Sequence, residues 1–194
     1  MPVPVAICAT VAIALTALVA LPSVSHAQVS SPTGAGGAVF ENPDPAADPT
    51  VPSAPAPAGA VATLDATGRA VAPAAAPKAV KQIIAAGNKI AFKKYIYGGG
   101  HRKWRDKGYD CSGSVSYALR GAKLLKSPLA SGDFIGWGEA GAGSWVTLYT
   151  KSSHIYMVVA GLRFDTSGRG QSGSRWQTAS RSAKGYTVRH PVGL

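Results

Sequence analysis

Cysteine is almost absent from this 194-residue chain: the only two are Cys8 and Cys111. Neither has a second Cys or a close His/Asp pair at ligand spacing, so a metal site is not expected. Acidic side chains are also scarce, at 9 Asp and Glu against 20 Lys and Arg. The Gly98-Gly99-Gly100 tract is followed by no Gly-Lys-Ser/Thr, which excludes a phosphate-binding loop. Aromatic residues are missing from most of the first half. Between residues 28 and 77 there is one, Phe40, while 9 of the 14 prolines fall there. Such a segment cannot bury a core, and no internal repeat marks it as a binding module. It reads as a disordered Pro/Ala-rich tether.

Residues 1–27 read as a secretory signal. Ala6 to Leu21 is an uninterrupted uncharged run, Pro22 breaks it, and Ser25-His26-Ala27 supplies a small-x-small cleavage pattern. No Lys or Arg precedes the run, so an uncleaved membrane anchor is the alternative. Either reading places the chain outside the cytoplasm, secreted or held at the cell surface, and removal of the signal leaves it one cysteine, Cys111. Exported proteins usually pair their cysteines. A lone thiol is then buried filler, a mixed-disulfide site or a nucleophile.

The positive charge is concentrated after the tether. From Lys78 to Leu194 there are 19 Lys and Arg against 5 Asp and Glu, a net +14. Such a field attracts polyanions, and anionic wall polymers or lipid headgroups are the candidates outside a cell. Plain solubility is the other reading. Charge alone would also admit nucleic acid, but the signal segment argues against it.

Residues 78–194 have the length and the aromatic content of one compact domain, expected to be monomeric. Val80, Ile83, Ile84, Gly87 and Ile90-Ala91 predict a helix starting at Pro77 or Lys78. Val115, Ala118, Leu119 and Ala122 predict a second helix whose first turn holds Cys111, capped by Asp110 and stopped near Gly121. The period then changes to two. Strands are expected at Trp145–Tyr149, His154–Val159, Leu162–Thr166 and Tyr186–His190. Helices first and antiparallel strands after give an α+β fold.

A thiol in the first turn of a helix faces unpaired N–H groups, which favour the thiolate. A cysteine nucleophile also needs a base. Of the three histidines beyond the signal, His101 lies in a basic loop and His190 near the end, and both read as solvated. His154 starts an apolar strand and is the candidate. If Ala160-Gly161 is a two-residue hairpin turn, Tyr156 faces Asp165, and Asp165 lies diagonal to His154 on the same face. It could then orient the imidazole.

Tyr95-Ile96-Tyr97-Gly98-Gly99, then Tyr109-Asp110-Cys111-Ser112-Gly113, then His154 together resemble the NlpC family of bacterial cell-wall cysteine endopeptidases. The resemblance runs from about Lys78 to the C-terminus. It implies a papain-like domain that cuts peptidoglycan stem peptides, often between γ-D-glutamate and a diamino acid, with no cofactor. It makes Cys111 the nucleophile, His154 the base and Asp165 the third polar residue, a position the family commonly fills with His, Asn or Gln. It sets Tyr95 beside the cysteine near the oxyanion, with Asp110 and Ser112 lining the substrate cleft. Ser152-Ser153 before the histidine and Ile155-Tyr156-Met157 after it depart from the family pattern. An N-acetylmuramoyl-L-alanine amidase on the same scaffold and a non-catalytic basic wall-binding protein are the rival functions.

Overall fold

The structure is a computed structural model and describes residues 61–194. The signal-like segment and residues 28–60 of the expected tether lie outside the described residues. Residues 61–77 do not belong to a disordered tether. They carry a hairpin of β1 (Thr63–Leu64) and β2 (Ala70–Val71), closed by the Asp65 carboxylate, which accepts the N–H groups of Thr67 and Arg69. Ala62, Ala70 and Ala76 are buried, and the Ala62 N–H donates to the Ala160 carbonyl at 2.8 Å. Asn88 receives the Ala70 N–H at 3.0 Å and donates to its carbonyl at 2.9 Å. Alanine methyl groups and hydrogen bonds from remote residues, Asn88, Ala160 and Ser174, hold this segment, so its composition resembles that of a linker.

Asn88 lies on α1 (Lys78–Ile90), which buries the expected stripe of Val80, Ile83, Ile84, Gly87 and Ile90. Next comes α2 (Cys111–Gly121), with Asp110 as its N-cap in extended conformation. Gly121 remains inside α2 rather than stopping it. A Cβ there would press on the Ala86 methyl and the Gln82 carbonyl, so its absence lets the two helices close on each other. The left-handed residue after the helix is Lys123, at φ 62°.

A short 3₁₀ turn (Asp133–Gly136) leads into one six-stranded sheet. Its strands are β3 (Glu139–Ala140), β4 (Val146–Lys151), β5 (His154–Val159), β6 (Leu162–Phe164), β7 (Trp176–Gln177) and β8 (Thr187–His190). Every pair is antiparallel, in the order β3-β8-β4-β5-β6-β7, with α3 (Arg169–Ser172) between β6 and β7. The described fold is therefore α+β. Ile155, Met157 and Val159 of β5 join Val115, Ala118 and Leu119 of α2 in one buried cluster with Leu148 and Trp176. Each such side chain contributes about 1.5–3 kcal/mol on full burial.

The turn between β5 and β6 is the expected two-residue one. Val159 pairs with Leu162, while Ala160 and Gly161 take φ 46° and 83°, the left-handed pair of a type I′ turn. The register runs on through Val158–Arg163 to Met157–Phe164. Strand β6 ends one residue before Asp165, two residues short of the expected boundary. The Asp165 carboxylate accepts the Ser167 N–H at 2.8 Å and turns the chain away there.

Asn88→Ala removes both bonds to Ala70 and should lower stability by about 1–2 kcal/mol. Urea unfolding gives the loss, and hydrogen exchange should quicken first across residues 62–71. An unchanged midpoint would mean that the alanine contacts alone hold the hairpin.

Candidate active site

The local sequence around Cys111 is built on backbone contact. Gly98 and Gly100 take φ 71° and 88°, bending the tract back over the start of α2. A Cβ on Gly113 would overlap the Gly99 carbonyl oxygen, so the two glycine segments touch as only glycine allows. The Gly99 carbonyl also accepts the Asp110 N–H at 3.2 Å. Asp110 completes the joint. One carboxylate oxygen caps α2 by accepting the Gly113 N–H at 2.7 Å, and the other accepts the Gly98 N–H at 3.0 Å. Cap and cleft wall are thus the same residue, and the two roles expected of Asp110 do not compete.

Arg175, fully buried, fixes this joint from behind. Its guanidinium donates to the carbonyls of Ile90 at 2.6 Å and Tyr109 at 3.1 Å, and to Ser114 Oγ at 2.9 Å. It ties the end of α1 to the first turn of α2. Burial pushes its pKa down to about 10, because carbonyl dipoles and no carboxylate compensate the charge.

Cys111 is half-buried at the head of α2, with its sulfur 3.6 Å from Ser131 Oγ. Burial pushes the thiol up. Hydrogen bonds from the His154 ring, Ser131 and the Ile155 N–H outweigh it, and the pKa lies below the ordinary thiol value. His154 donates from Nε2 to Asp165 Oδ1 at 3.0 Å, which leaves Nδ1 for the sulfur. Burial opposes its charge, yet Asp165 and the thiolate raise the pKa to about 9. The two shifts oppose each other in the way an ion pair requires. Both shifts move the pair toward thiolate beside imidazolium.

Asp165 is 2 % exposed. Besides His154 and the Ser167 N–H, its carboxylate takes a hydrogen bond from Arg181 Nη1 at 2.7 Å, and Arg163 Nε lies 3.7 Å away. Burial alone would raise its pKa, but these donors hold it below the usual carboxylate value. Arg181 in turn lies over the rings of Tyr156 and Tyr186.

A cleft of about 470 Å³ opens over the sulfur, and Tyr95, Asp110, Cys111, Ser112, Ser131 and Ser153 are on its walls. Tyr95 is half exposed; its partial burial and the charge of Cys111 raise its pKa. His101 also lines this cleft, contrary to its reading as a solvated loop residue. Its Nε2 is 3.1 Å from both Asp110 Oδ1 and Ser112 Oγ, because the glycine tract folds the loop onto α2. His190 is not free either: it pairs with Glu139 at 3.0 Å. Ser131, Ser167 and Arg181 carry no sequence signal, since each stands in a Gly/Ser-rich or basic loop with no period. His101 could have been found from its place directly after Gly100. Among the described residues no group of three His, Cys, Asp or Glu could hold a metal ion.

No family model, curated protein or solved structure matches the chain.

The ion pair has a direct signature. Iodoacetamide should label Cys111, read on the tryptic peptide 108–120, with a pH midpoint below that of an ordinary thiol. His154→Ala removes the opposing charge while burial stays, so the midpoint should rise toward the ordinary thiol value. Ser131→Ala should raise it less. A wild-type midpoint unaffected by loss of His154 would dissolve the pair.

Proposed function

We propose that this protein is a cysteine peptidase of the NlpC type: a papain-like, exported peptidoglycan hydrolase that cuts an amide bond of the stem peptides. One observation carries the reading. A thiol at the N-terminus of a helix opens to a cleft, a strand histidine beside it lowers its pKa, and a buried carboxylate hydrogen-bonds that histidine. This is the arrangement of nucleophile, base and orienting group that acyl transfer needs. A signal-like N-terminus and the wall-peptidase motif support the substrate and the location outside the cytoplasm. No cofactor is called for.

The Cys111 thiolate attacks the scissile carbonyl carbon. The Cys111 N–H at the helix start and the Tyr95 hydroxyl stabilise the oxyanion. The His154 imidazolium gives its proton to the leaving amine, which departs and leaves a thioester on Cys111. Neutral His154 then takes a proton from water. The resulting attack releases the carboxylic acid and regenerates the thiolate beside a protonated His154. Asp165 holds the ring with one nitrogen toward the sulfur throughout. Asp110, Ser112 and His101 form the wall against which the acyl part of the stem peptide rests.

Digestion of purified peptidoglycan followed by mass spectrometry of the new termini tests this. The expected product is a free amine on a diamino acid; a free L-alanine amine would mark the amidase activity instead. Cys111→Ala should lower turnover at least about a thousandfold with folding intact. No new termini from the wild-type protein would overturn the proposal.

Asp165→Asn separates charge from shape. The amide keeps one acceptor but adds an N–H₂ among the donors of His154, Ser167 and Arg181. Turnover should fall on the order of tenfold to a hundredfold, with KM changed less than about twofold. Activity equal to wild type would show that Asp165 acts by shape alone.

A further inference from the structure

The basic charge is not spread evenly. A groove of about 720 Å³ lies between the C-terminal halves of α1 and α2, and Lys89, Arg105, Arg120, Lys123 and Lys126 line it beside Trp104. A second hollow of about 420 Å³ shares Lys89 and adds Arg69 and Lys93. The two form one concave strip with seven cations. Six carboxylates occur among the described residues, and none lines either hollow. Two of the six, Asp110 and Asp165, are buried elsewhere, on the Cys111 cleft wall and behind His154. Asp65 lies beside Arg69, and no carboxylate lines the strip itself.

The aromatic groups of the strip narrow the ligand. Arg120 covers the Trp104 ring at 4.6 Å, and Arg69 covers Phe92 at 4.9 Å. Neither ring offers a bare face pair for nucleobases to stack between, which sequence-tolerant nucleic-acid binders use. Phe92 is the strip's one exposed apolar ring, too little for a bilayer wedge, and a concave strip fits a flat headgroup surface poorly. What remains is recognition by charge along a chain narrow enough to lie in a groove.

We propose that this strip binds a linear anionic glycopolymer, in which sugar units carry phosphate or carboxylate groups. The polymer would lie at the C-terminal end of the helix whose N-terminus holds Cys111. Ten residues of helix separate the two sites by about 15 Å. The chain can therefore be held on the polymer while the cleft stays free. This binding requires no catalysis and stands whether or not the cleft hydrolyses peptidoglycan.

The test is equilibrium binding of the full chain to fluorescent polygalacturonate and to poly(glycerol phosphate), at several salt concentrations. Lys89, Arg105 and Lys126 are exposed, so their joint replacement by Gln should leave the fold intact. Affinity should fall about tenfold or more at low salt, and the dependence of log affinity on log salt should become shallower by about two. A control chain with Lys78→Gln, Lys103→Gln and Lys184→Gln loses the same charge outside the strip, and should bind within about threefold of wild type. Equal losses in the two variants, or none in either, would overturn the site. Tighter binding to equimolar phosphatidylcholine–phosphatidylglycerol vesicles or to oligothymidylate, abolished by the strip variant, would overturn the choice of ligand.

Discussion

A carboxylate with no access to water has to be surrounded by donors, and Asp165 meets that demand through four parts of the chain. His154 at the start of β5, Ser167 in the turn after β6 and Arg181 in the loop before β8 donate hydrogen bonds, and Arg163 of β6 adds its charge at 3.7 Å. Removing one partner of such a buried pair typically costs about 3–5 kcal/mol, because the remaining charge has nowhere to go. The same donors that keep Asp165 ionised fix the ring of His154. Stability and site geometry therefore depend on one group.

Asp110 plays the corresponding part on the helical side. Its two oxygens bind the glycine tract to the first turn of α2, and Arg175 anchors the same turn to the end of α1. The thiol thus stands on a rigid helix end and the imidazole on a rigid strand end. Their approach is set by the packing of α2 against β5 in the core. The loop carrying Ser131 is tied in by Thr150, whose hydroxyl donates to the Ser131 carbonyl at 2.6 Å. Under the proposed acyl-transfer chemistry this is the preorganisation that keeps nucleophile and base aligned without substrate.

Much of this was legible in the residues because it rests on local period and turn chemistry. The stripes of α1 and α2, the Asp110 cap and the alternation of β5 each follow from neighbouring side chains. The hairpin register is the farthest such reasoning reaches: two residues, Ala160 and Gly161, set the pairing that brings Asp165 to His154. Contacts that join distant segments were not legible. Arg175 meets carbonyls some 80 positions earlier, Arg181 is one basic residue among many, and Asn88 holds a hairpin whose alanines look like linker. His101 was misread because the Gly98–Gly100 bend, and not its own neighbours, decides where it points. The charge of the chain was visible, but its collection into one strip depends on how α1 and α2 pack.

The proposed chemistry requires a protonated His154 facing the Cys111 thiolate. Nitrogen chemical shifts of ¹⁵N-histidine-labelled protein, followed through a pH titration, measure that directly. The ring of His154 should remain an imidazolium past neutrality and titrate near pH 9, and Cys111→Ala, by removing the thiolate, should lower that midpoint. A ring that is neutral at pH 7, and whose titration does not change when the thiol is removed, would contradict the ion pair and the catalytic reading built on it.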